Sequence, residues 1–326
     1  MRNILCLFFG ILLISCKGDQ ENNGANNWEK IPEVQIQQEE YIRVPGTSVF
    51  LIPPVGFRAA LHFPGFQQES TNASVVISEM PAPMYEILPA YADEDLLQKR
   101  GLILLDHQRY TDNEAFRLLF QLKQSAAGGD FLKWILVMGN NTNSITVSAT
   151  FPQEYESEVS EILKSSLLTV RWDQDLSVPV DEGLLFTIEE QRPLKLAGRV
   201  INGLVYNLDG EIPASSKGGA TFMAAPSVLE ISLDDRESFA RARLANSTRY
   251  TEVRIEKIEP VVIDGLEGYE TVAAAKDTQT QLDTFIQQTI LFDENICYLM
   301  TGAVEQSKAA DYAEIFRKMA GSFKRK

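Results

Sequence analysis

The chain has 326 residues, 44% of them apolar, with 45 acidic and 30 basic side chains for a formal net charge of -15. A composition this apolar supports packed cores and excludes a disordered chain. So large an acidic excess repels nucleic acid and anionic head groups, and argues against both as partners.

At the N-terminus, Met1-Arg2-Asn3 leads into an apolar run from Ile4 to Ile14, then Ser15 and Cys16. One positive charge, a short apolar run and a small residue before the cut form the pattern of a secretory signal segment. The run is too short to span a bilayer, which takes about 20 residues. Leu13-Ile14-Ser15-Cys16 resembles the bacterial lipobox. That resemblance implies removal of residues 1–15, a diacylglycerol thioether on Cys16 and a further acyl chain on its amine. Each buried CH₂ then contributes about 0.8 kcal/mol to holding the protein on a bilayer. Lys17 follows the cysteine where the enteric sorting pattern would place Asp to retain a protein at the inner membrane, which implies the outer membrane. Lys17-Gly18-Asp19-Gln20-Glu21 distantly resembles the charged export tag of Bacteroidetes surface lipoproteins. Cys6 leaves with the signal and Cys16 is acylated, so Cys297 is the sole remaining thiol and no intramolecular disulfide can form.

Residues 16–37 are rich in Asn, Gln, Glu and Gly and read as a tether with a random-coil span of roughly 25 Å. Trp28 within it marks either the start of packing or an interfacial contact. Beyond it, two domains are expected, 38–172 and 184–326, separated by a linker over 173–183 whose acidic residues, Pro179 and Gly183 interrupt any apolar period.

The two domains read as repeats of one another. In the first, Val75-Val76-Ile77 begins a strand that leads to Pro81, and Asp93-Glu94-Asp95 opens a helix. Phe116, Leu118, Phe120 and Leu122 then alternate as strand residues, and Phe131 to Met138 forms an apolar strand before a Gly139-Asn140-Asn141 turn. Ser144 to Thr150 alternates strictly, and a helix with Tyr155, Val159, Ile162, Leu163 and Leu167 on one face closes the domain. The second domain repeats the order. Ala220-Thr221-Phe222 leads to Pro226, at an offset of 145 from Val75-Val76-Ile77. Asp234-Asp235 opens a helix, and Leu266 to Thr271 matches Asn113 to Leu118 at an offset of 153. Phe285 to Phe292, the strand around Cys297, and a helix with Tyr312, Ile315, Phe316, Met319 and Phe323 on one face complete it. The difference in offsets implies about eight extra residues in the second domain. Strands, helix, meander and amphipathic helix predict an α+β fold, with helices covering an antiparallel sheet.

On Asp112 to Phe116, Asp264 to Tyr269, the hairpin strands and the closing helices ending near Ser166-Leu167 and Ser322-Phe323, both domains resemble the PsbP/Mog1/DcrB-like superfamily. The resemblance implies two tandem α/β/α sandwich domains, each an antiparallel sheet covered by helices. Members of that superfamily include photosystem assembly or stabilising proteins, a small-GTPase-binding protein and envelope lipoproteins. They share no catalytic motif, so the resemblance implies no site residues.

Chemistry-bearing residues are sparse. The two histidines, His62 in an apolar segment and His107 after a helix, read as structural or solvated. Carboxylate pairs at Asp93/Asp95, Asp173/Asp175, Asp181/Glu182 and Asp234/Asp235 are the material of glycosidase or Ca²⁺ chemistry. They sit at helix N-termini, which favour negative charge, or in the linker, and none has the form of a calcium loop. Ser215-Ser216-Lys217-Gly218-Gly219 lacks the phosphate-loop pattern and reads as a surface turn. Cys297 reads as a buried strand residue. The basic end, Arg317, Lys318, Lys324, Arg325 and Lys326, either offsets a helix dipole or docks an acidic partner. Met80, Pro81, Pro83, Met84 and Tyr85 could offer an adaptable interaction loop. No catalytic residue, metal ligand or cofactor is expected. The leading expectation is a membrane-anchored, non-enzymatic envelope lipoprotein, a protein-binding or assembly factor. Its partners would be the bilayer, through Cys16, and another envelope protein. A carrier or sensor of a small apolar ligand is the alternative, and an enzyme the third.

Overall fold

The computed structural model describes residues 29–30, 40–111, 116–126, 129–216, 218–227, 235–294 and 296–326. The chain divides between Pro179 and Val180 into two compact units.

In the first unit the alternating segments pair into an antiparallel sheet. From edge to edge the strands are Arg58–Ala59, Gly65–Gln68, Ala73–Met80, Ser144–Pro152, Gly129–Gly139, Phe116–Ala126 and Leu102–Thr111. Glu29–Lys30 adds a short parallel strand outside the last of these, opposite Tyr110–Thr111. Successive side chains on a strand go to opposite faces. Leu132, Trp134 and Leu136 therefore join Val75, Ile77, Val147 and Phe151 in one core, closed by Val159, Leu163 and Leu167 of the helix Glu156–Leu168. Ile162 of that helix is exposed rather than on the packed face. On the other face Phe120, Leu122, Ile135 and Val137 meet Ile87, Tyr91 and Leu97. Those three come from the short helices Met84–Ile87, Pro89–Ala92 and Glu94–Lys99. Asp93 caps the third of them, its Oδ1 accepting from the Leu96 N–H at 3.0 Å. Full burial of each such Leu, Ile, Val or Phe contributes about 1.5–3 kcal/mol.

The second unit repeats this strand order with Lys195–Val200, Gly203–Asn207, Thr221–Pro226, Ile296–Glu305, Asp283–Asp293, Leu266–Asp277 and Tyr250–Ile263. The helix Ala309–Gly321 seals one face through Phe316, Met319 and Ala320. The helix Arg236–Ala245, capped by Asp235, seals the other through Ala240 and Leu244. Asp264 and Gly265, at φ 52° and 76°, turn the hairpin between Ile263 and Leu266. Positive φ at both central residues is what such a two-residue turn requires. Each unit is shut by its last strand on an early one: Arg171–Trp172 on Val49–Phe50, and Lys324–Arg325 on Phe186–Thr187. The chain is thus two tandem helix–sheet–helix sandwiches, each built on an antiparallel sheet.

Strand register corrects the details of the repeat. Phe151 stands opposite Leu132, as Val304 stands opposite Phe285, at a spacing of 153. In the flanking strands Ala149 faces Val75 as Gly302 faces Phe222, which sets Val75 against Phe222 at 147. Arg117 faces Met138 as Gly268 faces Leu291, which sets Arg117 against Gly268 at 151. The expected matches, Ile77 with Phe222 and Arg117 with Glu270, are each two residues out of step. The difference between the spacings 147 and 151 leaves four extra residues between these two strands of the second unit, not eight. His107 lies within the strand Leu102–Thr111 and not after a helix, because the helix before it ends at Lys99. Both ends of the 173–183 segment are fastened. The Asp173 N–H donates to Ser48 O at 3.0 Å, and the Leu184 N–H donates to Asp181 O at 3.2 Å.

Candidate functional site

Leu13, Ile14, Ser15 and Cys16, Trp28, Lys217 and Asp234 lie outside the described residues. Among the described residues, no helix is long and apolar enough to cross a membrane. Nor does any group of three or more His, Cys, Asp or Glu among them come together as metal ligands.

The loop residues separate in the structure. Met80 is 8% exposed and belongs to the core beneath the short helices, and Met84 packs against that core. Pro83 is half-buried, while Pro81 and Tyr85 are exposed. The two methionines therefore do not form a surface with Tyr85. His107 is exposed and stacks on Phe120 with ring centroids 6.5 Å apart. Cys297 is buried, and its N–H donates to Ser227 Oγ at 3.2 Å. Ser215 donates from its N–H and its hydroxyl to Asp209 Oδ2, at 3.0 and 2.7 Å, which fixes a turn.

The basic end is occupied internally. Arg325 donates from its N–H and Nε to Asp264 Oδ2, both at 3.1 Å, and from a terminal nitrogen to Asp293 Oδ2 at 3.2 Å. Lys326 Nζ reaches Asp181 at 3.0 Å. Arg317 meets Glu314 at 3.0 Å and Glu270 at 3.6 Å.

Two features emerge that the sequence reading did not single out. The first is the outer edge of the first unit's sheet. In the strand Leu102–Thr111, Ile103 and Leu105 are 59% and 49% exposed. A bulge between Leu104 and Asp106 interrupts the pairing there. Glu29–Lys30 covers this edge only at Tyr110–Thr111, so Leu102 to Gln108 has no outer strand among the described residues. An open strand edge is a template for another chain. The matching edge of the second unit, Tyr250–Ile263, is built against such pairing even though Val262 is exposed. It carries two register breaks, Glu252 at φ 54°, a Lys257–Glu259 ion pair at 2.6 Å, and Pro260. The available sequence signal was the unalternating run Leu102-Ile103-Leu104-Leu105.

The second feature is a buried polar group on the helix-covered face of the first unit. Lys133, 6% exposed, donates to Thr150 Oγ1 at 3.2 Å. Burial, and then the charge of Arg100, push its ammonium down to about 8. Gln124 is buried on the adjacent strand, and its Oε1 has no partner. Tyr91 is buried nearby, bonded to the Thr146 side chain, and its hydroxyl is pushed up by burial.

No protein-family model matches the chain, and no curated protein matches it. Among solved structures, the chain is similar to cyanobacterial PsbP (CyanoP) from Synechocystis sp. PCC 6803 at 10% identity, covering 44% of this chain and 82% of that one, with a TM-score of 0.29. It is similar to the T6SS immunity protein TplEi from Pseudomonas aeruginosa at 12% identity, covering 87% and 97%, with a TM-score of 0.30. It is also similar to a chain of the Tle4–Tli4 complex at 10% identity, covering 89% and 99%, with a TM-score of 0.31. Likenesses of this size carry no functional argument, and the fold described above rests on the strand order of the chain itself.

Proposed function

We propose that this protein is a lipid-anchored, non-enzymatic envelope protein that binds another protein, and that an extended segment of the partner adds to the sheet edge at Leu102 to Gln108. The observation that carries this reading is the contrast between the two units. Built on one strand order, they differ in degree at the same edge: Tyr250–Ile263 carries two register breaks, an ion pair and Pro260, whereas Leu102–Thr111 has one break and exposes both Ile103 and Leu105. Glu29–Lys30 already pairs with the far end of this edge, so an added strand is compatible with the local geometry. In such docking, main-chain hydrogen bonds supply affinity and alternate side chains supply selectivity. The partner segment is therefore expected to place apolar side chains against Ile103 and Leu105. Anchoring rests on the resemblance of Leu13-Ile14-Ser15-Cys16 to a lipobox.

A photo-crosslinking residue at Gln108 of the membrane-anchored protein tests the docking. A discrete protein adduct that disappears with the double variant Ile103→Lys, Leu105→Lys is expected. An adduct unaffected by that variant, or no adduct while a probe at Val262 gives one, overturns the edge assignment. Independently, Cys16→Ser is expected to move the protein from the membrane fraction to the soluble one. Unchanged fractionation overturns the anchor and leaves the docking result intact.

A further inference from the structure

Lys133 sits in the middle of the strand Gly129–Gly139, opposite Leu122 on one side and Thr150 on the other. The residue is only 6% exposed, and among the described residues no carboxylate pairs with it. The charge it feels is that of Arg100, which has the same sign. Arg100 donates to Ala90 O at 2.8 Å and so is held at the end of the short helices. Gln124 projects to the same face from the neighbouring strand, two residues along from the Leu122–Lys133 pair, and its side-chain Oε1 is buried without a partner. A buried cation without a counter-ion, on the same sheet face as an unsatisfied amide oxygen, is unfavourable unless something completes the group.

The repeat shows that the fold does not require these residues. At the register spacings established above, Lys133 corresponds to Ile286, Thr150 to Ala303, Thr146 to Leu299 and Gln124 to Ala275. At these four positions the second unit carries buried apolar side chains, although Gln288 and Thr271 are buried beside them on the same face. Lys133, Thr150 and Gln124 thus share one face at positions where the same architecture accepts apolar residues.

We propose that the face of the first unit beneath the short helices Met84–Ile87, Pro89–Ala92 and Glu94–Lys99 is a binding site for a small oxyanion, held by Lys133, Thr150 and Gln124. The Thr150 hydroxyl accepts from Lys133, which leaves its own proton for the ligand. Amide oxygen and nitrogen are interchangeable assignments, so a rotated Gln124 amide donates to the anion as well. Lys133 supplies the charge that selects an anion over a neutral solute.

The test compares full-length protein with its Lys133→Met and Gln124→Leu variants in sodium sulfate, sodium acetate and sodium chloride at matched ionic strength, by thermal unfolding and titration calorimetry. Wild type is expected to melt higher in sulfate or acetate than in chloride, with saturable binding at one site. Lys133→Met is expected to melt above wild type in chloride and to bind the oxyanion at least tenfold more weakly. Gln124→Leu is expected to fold and to bind several-fold more weakly. Sulfate also stabilises proteins generally by exclusion from their surfaces. An equal rise in wild type and both variants therefore overturns the proposal. So does Lys133→Met melting below wild type in chloride while Gln124→Leu binds the oxyanion as wild type does.

Discussion

Gly302 lies directly beneath the ring of Phe316, so close that a β-carbon on the glycine would stand 2.2 Å from the ring Cγ. This contact sets how near the helix Ala309–Gly321 approaches the centre of the second sheet. The matching residue of the first unit is Ala149, and the helix position matching Phe316 at the same spacing is the smaller Leu163. Gly302→Ala is expected to cost about 1–3 kcal/mol, the usual range for overpacking a filled core. Urea denaturation checks this, and adding Phe316→Leu is expected to recover part of the loss.

Burial of Lys133 is expected to make the stability of the first unit depend on pH. Its ammonium, ordinarily near 10.5, is pushed down to about 8 by burial and then by Arg100. The unfolded chain therefore holds this proton to higher pH than the folded one. Stability rises with pH between about 8 and 10.5, and the full penalty of burying the charge is present below that window. The shift corresponds to about 3 kcal/mol. Lys133→Met is expected to raise stability at pH 7 and to flatten the rise, measured as the difference between wild-type and variant denaturation midpoints at pH 7 and 9.5. Saturating oxyanion is expected to shrink that difference.

Trp134 fastens the helix Glu156–Leu168 to the first sheet. Its indole N–H donates to Ser160 Oγ at 2.9 Å, and Lys164 lies 5.1 Å from the ring centroid. Ser160→Ala leaves a buried donor unsatisfied and is expected to cost about 1–3 kcal/mol. Denaturation followed by tryptophan fluorescence reports it, and a loss below a few tenths would remove the bond from any account of helix docking.

The clamp at Arg325 is expected to weaken in acid. Its backbone N–H, and then its side chain, hold the Asp264 carboxyl below the usual carboxylate range. A carboxylate lowered in this way contributes stability above its ordinary value and loses it as pH falls through the lowered one. Asp264→Asn is expected to speed amide exchange in Phe186–Thr187, the strand paired with Lys324–Arg325. Acid is expected to do the same in wild type and to add little in the variant.

Alternation and helical stripes were enough to place most strands, both closing helices and the duplication, because each of those elements buries one face. Register was not legible. Displacing a strand by two residues returns every side chain to its original face. Matching Ile77 with Phe222, when Val75 is the true counterpart, therefore satisfies the same hydrophobic pattern. His107 was misplaced because the run Leu102-Ile103-Leu104-Leu105 has no alternation to announce a strand. Lys133 was passed over inside an apolar stretch. Its neighbours Leu132, Trp134 and Ile135 fill both faces of the strand, and that requires any side chain between them to be buried. The methionines at 80 and 84 looked available because the prolines around them suggested a loop. In fact Met80 ends a strand and Met84 starts a helix, and both turn inward.

The pairing of each unit's closing strand with one near its beginning has a further consequence. Arg171–Trp172 lies beside Val49–Phe50, and Lys324–Arg325 beside Phe186–Thr187, so entry and exit of each module are neighbours. A module with adjacent ends can be copied in line without disturbing its interior, which makes tandem duplication an easy route to this architecture. The same stitch delays completion: during synthesis, neither module can seal until its final residues emerge. The earlier one matures first, and the later one stays vulnerable to proteases longest.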